Sequence, residues 1–151
     1  MIIYEQIFKK YGLSKTQQEI LKAAGEKKIV LEIGPSTGYM SQAFLDNGCI
    51  VDCVEVSREA AAKLPAGIRK IFNQSIEDAS IYNALNNDYV CIILSDVLEH
   101  LVNPGVALNK LTKIVKPDTK IIISLPNIAC WAMRKQLFFN GDFEYQKSGL
   151  L

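Results

Sequence analysis

The sequence predicts a doubly wound, mainly parallel α/β sheet, and three observations carry that expectation. Short apolar runs alternate with helical patterns along the 151 residues, which is the signature of βαβ units. The run Tyr89 to Leu94 is continuously apolar, as a strand covered on both faces must be. The run Ile29 to Ile33, broken only by Glu32, passes at once into Gly34-Pro35-Ser36-Thr37-Gly38 and then into the helical pattern Tyr39, Met40, Ala43, Phe44. A buried strand that delivers a Gly-rich loop to a helix N-terminus is the usual ligand junction of an open α/β sheet.

The elements follow in order. Ile2 to Tyr11 is a short amphipathic stretch ended by Gly12. Ser14-Lys15-Thr16-Gln17 has the spacing of a capping box for a helix through Ala24, with Ile20, Leu21 and Ala24 toward the sheet and Gly25 as its stop. After the Gly-rich loop a helix runs to about Asp46, and Asn47-Gly48 turns the chain. Cys49 to Val56 is the second strand, Ser57 caps a helix over Arg58 to Leu64, and Pro65-Ala66-Gly67 breaks it. Ile68 to Asn73 is the third strand, and Ile76 to Leu85 a short helix or irregular crossover. Tyr89 to Leu94 is the fourth strand. Asn103 and Pro104 read as N-cap and first helical residue of a helix to Val115. Lys120 to Leu125 is the fifth strand. No internal repeat or linker interrupts the series, so one domain is expected: N-terminal helices over 1–27, a core over 28–127, and a tail over 128–151.

Composition bounds the function. Hydrophobic residues at 49% and charged residues at 22% are ordinary for a globular chain, and a net charge of +1 provides no field for nucleic acid or an anionic membrane. Met1 to Phe8 lacks the features of a secretion signal and no apolar run could span a bilayer, which points to the cytoplasm. Cys49, Cys53, Cys91 and Cys130 form no C-x-x-C pair and have apolar neighbours, so buried free thiols are expected, with no metal site.

The loop by itself leaves two readings open, a tight ligand-free turn or a cofactor loop. A dinucleotide fingerprint G-x-G-x-x-G fails at Ser36 and Tyr39. Glu55, about 20 residues past Gly34 at the end of the second strand, stands where adenosine-binding sheets place an acidic acceptor for ribose hydroxyls.

Glu32-x-Gly34-x-Ser36-x-Gly38 resembles motif I of the class I S-adenosylmethionine (SAM)-dependent methyltransferases, E/D-x-G-x-G-x-G, with Ser36 in place of the middle glycine. The stretch Asp96-Val97-Leu98-Glu99-His100-Leu101 is closely similar to a family sequence after the fourth strand, and 114–118 with 121–127 resembles its L-K-P-G-G turn and fifth strand. The match runs in order from about Lys28 to Asn127 and implies a Rossmann-like fold with SAM as cofactor. By the same resemblance, Glu32, Gly34, Ser36 and Gly38 belong to the cofactor loop, and Glu55 with Val56 to the ribose end. Ser75, where the family has Asp, and Ile76 would cover adenine. Ser95 and Asp96 would flank the methionine half, and Glu99 and His100 would lie near the acceptor. His100, the single histidine, is the candidate base if the acceptor must lose a proton.

An N/D-P-P-Y/F/W stretch, carried by the family's amino-methylating DNA enzymes, is missing after the fourth strand, which favours a small-molecule acceptor such as a sugar or quinone-like hydroxyl over nucleic acid. A nucleotide-binding oxidoreductase and a non-catalytic, weakly SAM-binding module remain as alternatives. The tail from Phe139 to Leu151 resembles members found with cell-surface and polysaccharide genes, in which further strands follow, so the sequence reads as shortened at its C-terminus. The expectation is a tail helix from about Ala129 to Phe139, or a homodimer through the fifth-strand edge and the tail.

Overall fold

The computed structural model describes residues 12–127 and 129–141. Helix α1 (Lys15–Ala24) precedes β1 (Ile29–Ile33), α2 (Tyr39–Asp46), β2 (Ile50–Val54), α3 (Arg58–Ala61) and β3 (Lys70–Phe72). Then come α4 (Ile81–Ala84), β4 (Cys91–Ser95), a 3₁₀ turn (Leu98–His100), α5 (Pro104–Ile114), β5 (Lys120–Ser124) and α6 (Trp131–Asn140). All strand pairings are parallel and the order is β3-β2-β1-β4-β5. The chain winds outward from β1 to β3 on one side and from β4 to β5 on the other. The order therefore reverses between β1 and β4, where open α/β sheets bind ligands beyond the carboxyl ends of their strands.

Because side chains alternate along a strand, the sheet feeds two cores. Val30, Val51, Cys53, Cys91 and Ile93 face Ile20 and Ala24 of α1 and Met40 and Phe44 of α2. Leu31, Ile33, Val54, Ile92 and Leu94 face the other way, against Ile81 of α4 and Leu111 of α5. Cys49, Cys53 and Cys91 are free and buried, as expected, and Cys130 is free and partly exposed. Among the described residues no helix is long and apolar enough to cross a membrane.

The capping box forms as read: the Gln17 N–H donates to Ser14 Oγ, and Gln17 Oε1 accepts the Ser14 N–H. Several boundaries differ. β2 stops at Val54 because the Asn73 side-chain amide takes the carbonyls of Glu55 and Val56, at 2.6 and 3.2 Å, which draws them out of the ladder. β3 is three residues long rather than six, a short edge strand. The expected helix over Arg58 to Leu64 ends at Ala61, and only Ile81–Ala84 is helical in the crossover after β3. Asn103 precedes α5, but its side chain makes no cap. Its backbone N–H donates instead to the Glu77 carboxylate at 2.9 Å. In the tail, α6 buries Met133 and leaves Trp131, Leu137, Phe138 and Phe139 exposed. The expected helix over Ile2 to Tyr11 and the tail after Gly141 lie outside the described residues.

Candidate active site

The carboxyl ends of β1, β2 and β4 bring the sequence-predicted residues to one end of the sheet. Gly34 follows β1, and its N–H continues the ladder to the Val54 carbonyl at 2.9 Å. Its φ of +69° is in the left-handed region, and a Cβ there would come within 2.8 Å of Val97 Cγ2, so the Gly-rich loop and the loop after β4 touch at this point. Gly38, at φ +78°, is buried. A Cβ on it would meet Pro65 Cδ at 2.6 Å and Leu64 Cδ2 at 2.8 Å. Glycine is thus required at 38 by the turn after α3, a neighbour that local sequence does not reveal.

Ser36, at the motif's middle position, is a non-glycine residue with φ +53°. That conformation costs a β-carbon roughly 1–2 kcal/mol. Its N–H donates to Glu55 Oε2 at 3.0 Å, while the Ser57 N–H donates to Oε1 at 2.8 Å. Glu55 is buried, held by two backbone donors. Each carboxylate oxygen keeps acceptor capacity beyond the single bond it makes to these amides. Val56 beside it is 70% exposed.

Ser75 Oγ accepts the Glu77 N–H at 3.1 Å and so shapes the loop after β3. Ile76 turns inward and joins the second core, where Tyr82 Oη donates to its carbonyl at 2.7 Å. Ile76 is therefore packed in the core and not presented at the end of the sheet, Ser75 is bonded within its own loop, and Val56 is the exposed apolar residue beside Glu55. Ser95 Oγ lies 3.0 Å from Ser124 Oγ, which donates to Asp96 Oδ1 at 3.0 Å. Asp96 is a second left-handed residue, at φ +53°. Glu99 and His100 are exposed on the 3₁₀ turn, two and three residues beyond the buried Val97. Among the described residues, no cluster of His, Cys, Asp and Glu could hold a metal ion.

Glu32 lies beneath the loop, on the face shared with Cys53. It is 4% exposed and accepts a 2.5 Å bond from Ser41 Oγ. Burial pushes its carboxyl up to about 7, the Ser41 bond opposes that rise, and the Glu55 charge adds to it. Ser41 was not singled out in the sequence. Its signal was a small polar residue on the apolar face of α2, between Met40 and Phe44. A carboxyl raised in the folded state favours folding below its unfolded value, near 4.5, and that advantage is lost as pH rises through about 7. Glu32→Gln should therefore raise the unfolding free energy by about 3 kcal/mol at pH 8 and barely change it at pH 4. Urea unfolding at the two pH values measures this, and equal effects at both would show that Glu32 ionises normally.

A parallel sheet with this strand order, a Gly-rich loop after β1 and a buried acid at the end of β2 defines a class I SAM-dependent methyltransferase fold. The chain belongs to the methyltransferase domain family, whose model matches residues 4–148. Similar solved structures include a SAM-dependent methyltransferase from Thermotoga maritima (17% identity, TM-score 0.68, covering 88% of this chain and 61% of that one). The plantazolicin methyltransferase BpumL in complex with SAH is a second (16% identity, TM-score 0.66, 90% and 56%). The CcbJ methyltransferase from Streptomyces caelestis is a third (18% identity, TM-score 0.63, 76% and 52%). This chain spans about half to three-fifths of the length of these structures. Comparison with curated protein sequences finds no significant match.

Proposed function

We propose that the chain binds SAM across the β1–β4 crevice and directs its methyl group to a small-molecule acceptor, such as a sugar or quinone-like hydroxyl. The observation that carries this reading is the Ser36 N–H to Glu55 contact at 3.0 Å, which joins the Gly-rich loop to the acid at the end of β2. The residues suit the cofactor. Glu55 is anchored by two amides and still offers acceptor positions to a vicinal diol, and Gly34 presents bare backbone beside it. Val56 offers apolar surface for an adenine face.

When bound, SAM supplies an electrophilic methyl group on a sulfonium, so the chain's work is positional. Glu55 and the loop hold the nucleoside end. Ser95 and Asp96, tied to Ser124, shape the opposite end. His100, exposed beyond them, would accept a proton from a hydroxyl acceptor.

Calorimetry with SAM and with SAH, followed by methyl-transfer assays on candidate hydroxyl acceptors, tests the reading. Glu55→Ala should weaken SAM binding by about 1.5–3 kcal/mol, the range for hydrogen bonds to a charged group. Unchanged affinity would remove Glu55 from the site.

A further inference from the structure

Asn73 is the first residue past β3, and its side chain continues what the ladder leaves off. The Glu55 N–H still donates to the Phe72 carbonyl at 3.0 Å, as a ladder bond would. Beyond it, the Asn73 amide nitrogen donates to the carbonyls of both Glu55 and Val56, at 2.6 and 3.2 Å. In an extended strand successive carbonyls point to opposite sides. One nitrogen reaches two in a row only where the chain curls, and here the curl falls on Glu55 and Val56.

We infer that Asn73 is a positioning residue for the nucleoside end of the cofactor, acting through the backbone it holds and so through the Glu55 carboxylate. This rests on the SAM-binding reading above, in which Glu55 meets the ribose diol. A glutamate side chain has several free torsions, and no ladder bond fixes them at a strand end. The curl does so. It turns the Ser57 N–H back onto Glu55 Oε1 at 2.8 Å, two residues away, while the Ser36 N–H holds Oε2 from the Gly-rich loop at 3.0 Å. With the backbone of 55 and 56 held, the carboxylate has one direction left, and Val56 stands exposed beside it.

The residue type fits the task. A primary amide carries two N–H donors on one nitrogen, enough for two carbonyls at once. Aspartate has the same shape but only acceptors when ionised, and would set a negative charge against both carbonyls. Asn73 is itself exposed and belongs to neither core, so shortening it opens no cavity. Its effect on binding is thus separable from packing.

The test is a double-mutant cycle read by calorimetry with SAM and with SAH, on the full chain and its E55A, N73A, N73D and E55A/N73A variants. N73A should weaken both ligands about tenfold, and N73D at least as much. In the E55A background, N73A should add less than about twofold, because the group it positions is already gone. Losses that multiply in the double variant would show Asn73 acting on the fold or the ligand independently of Glu55, and would overturn the inference. Unaltered affinity in N73A and N73D, with E55A weakened, would overturn it too while leaving the SAM reading intact. Unaltered affinity in E55A, or binding of neither ligand to the unaltered chain, would overturn the inference together with the reading beneath it.

Discussion

Arg69→Ala should lower the unfolding free energy by about 1–3 kcal/mol, the cost of taking the half-exposed partner away from a buried carboxylate. Asp52 sits in the middle of β2 and is fully buried. Arg69 Nε and Nη2 donate to its two oxygens at 2.8 Å each, and Tyr89 Oη donates to Oδ2 at 2.7 Å. Arg69 Nη1 also reaches Asp88 at 3.0 Å. The two carboxylates hold the Arg69 guanidinium far above any accessible titration, and burial beside Asp52 raises the Tyr89 phenol. Without Arg69, Asp52 would keep one hydroxyl donor in an apolar interior. Replacing both partners with Asp52→Leu and Arg69→Met should cost less than Arg69→Ala alone, since no charge is then stranded. Urea unfolding of the three proteins is the measurement. A loss below about 1 kcal/mol for Arg69→Ala would mean that water reaches Asp52. The network lies toward the amino ends of β3 and β4, away from Gly34 and Glu55, so SAM affinity of the folded variant should be unchanged.

Gly38→Val should cost about 4 kcal/mol of stability. Two effects add there. A left-handed φ of +78° is strained by roughly 1–2 kcal/mol for a residue with a β-carbon, and more for a β-branched one. The added atoms also run into Pro65 and Leu64, where overpacking costs about 1–3 kcal/mol. Gly34→Ala shares the backbone strain, but its clash is with the end of the Val97 side chain, which can rotate, so its effect should be smaller. If Gly38→Val unfolds at the same urea concentration as the unaltered chain, the tight packing of α3's turn on the loop is wrong. If it folds and binds SAM normally, position 38 has no part in the cofactor loop.

The order of strands and helices was legible because each element carries its own signal. Continuous apolar runs mark strands buried on both faces, and Ser14 with Gln17 writes its own cap. The Glu32-to-Gly38 motif and Glu55 could be read for the same reason: their spacing is local, and the strands deliver both to one end of the sheet. The lengths of β2 and β3 were misread. Hydrophobicity continues past Val54, but Asn73, nearly 20 residues on, takes the next two carbonyls. Ile76 was expected at the adenine and points into the core, a choice between two faces that one apolar letter in a loop does not encode.

By itself the sequence determined the fold class, the position of the Gly-rich turn and the acid at the end of β2, because periodicity and spacing act along the chain. Only the tertiary structure decided what Glu32, Ser41, Asp52 and Gly38 meet. Asp52 is a lone charge within an apolar strand until Arg69 and Tyr89 converge on it. Glu32 is one letter of a motif until burial beneath the loop and the Ser41 hydroxyl set its charge. The electrostatic state of a buried group depends on its distance from water and from partners remote in sequence, and those distances exist only once the sheet has closed over them.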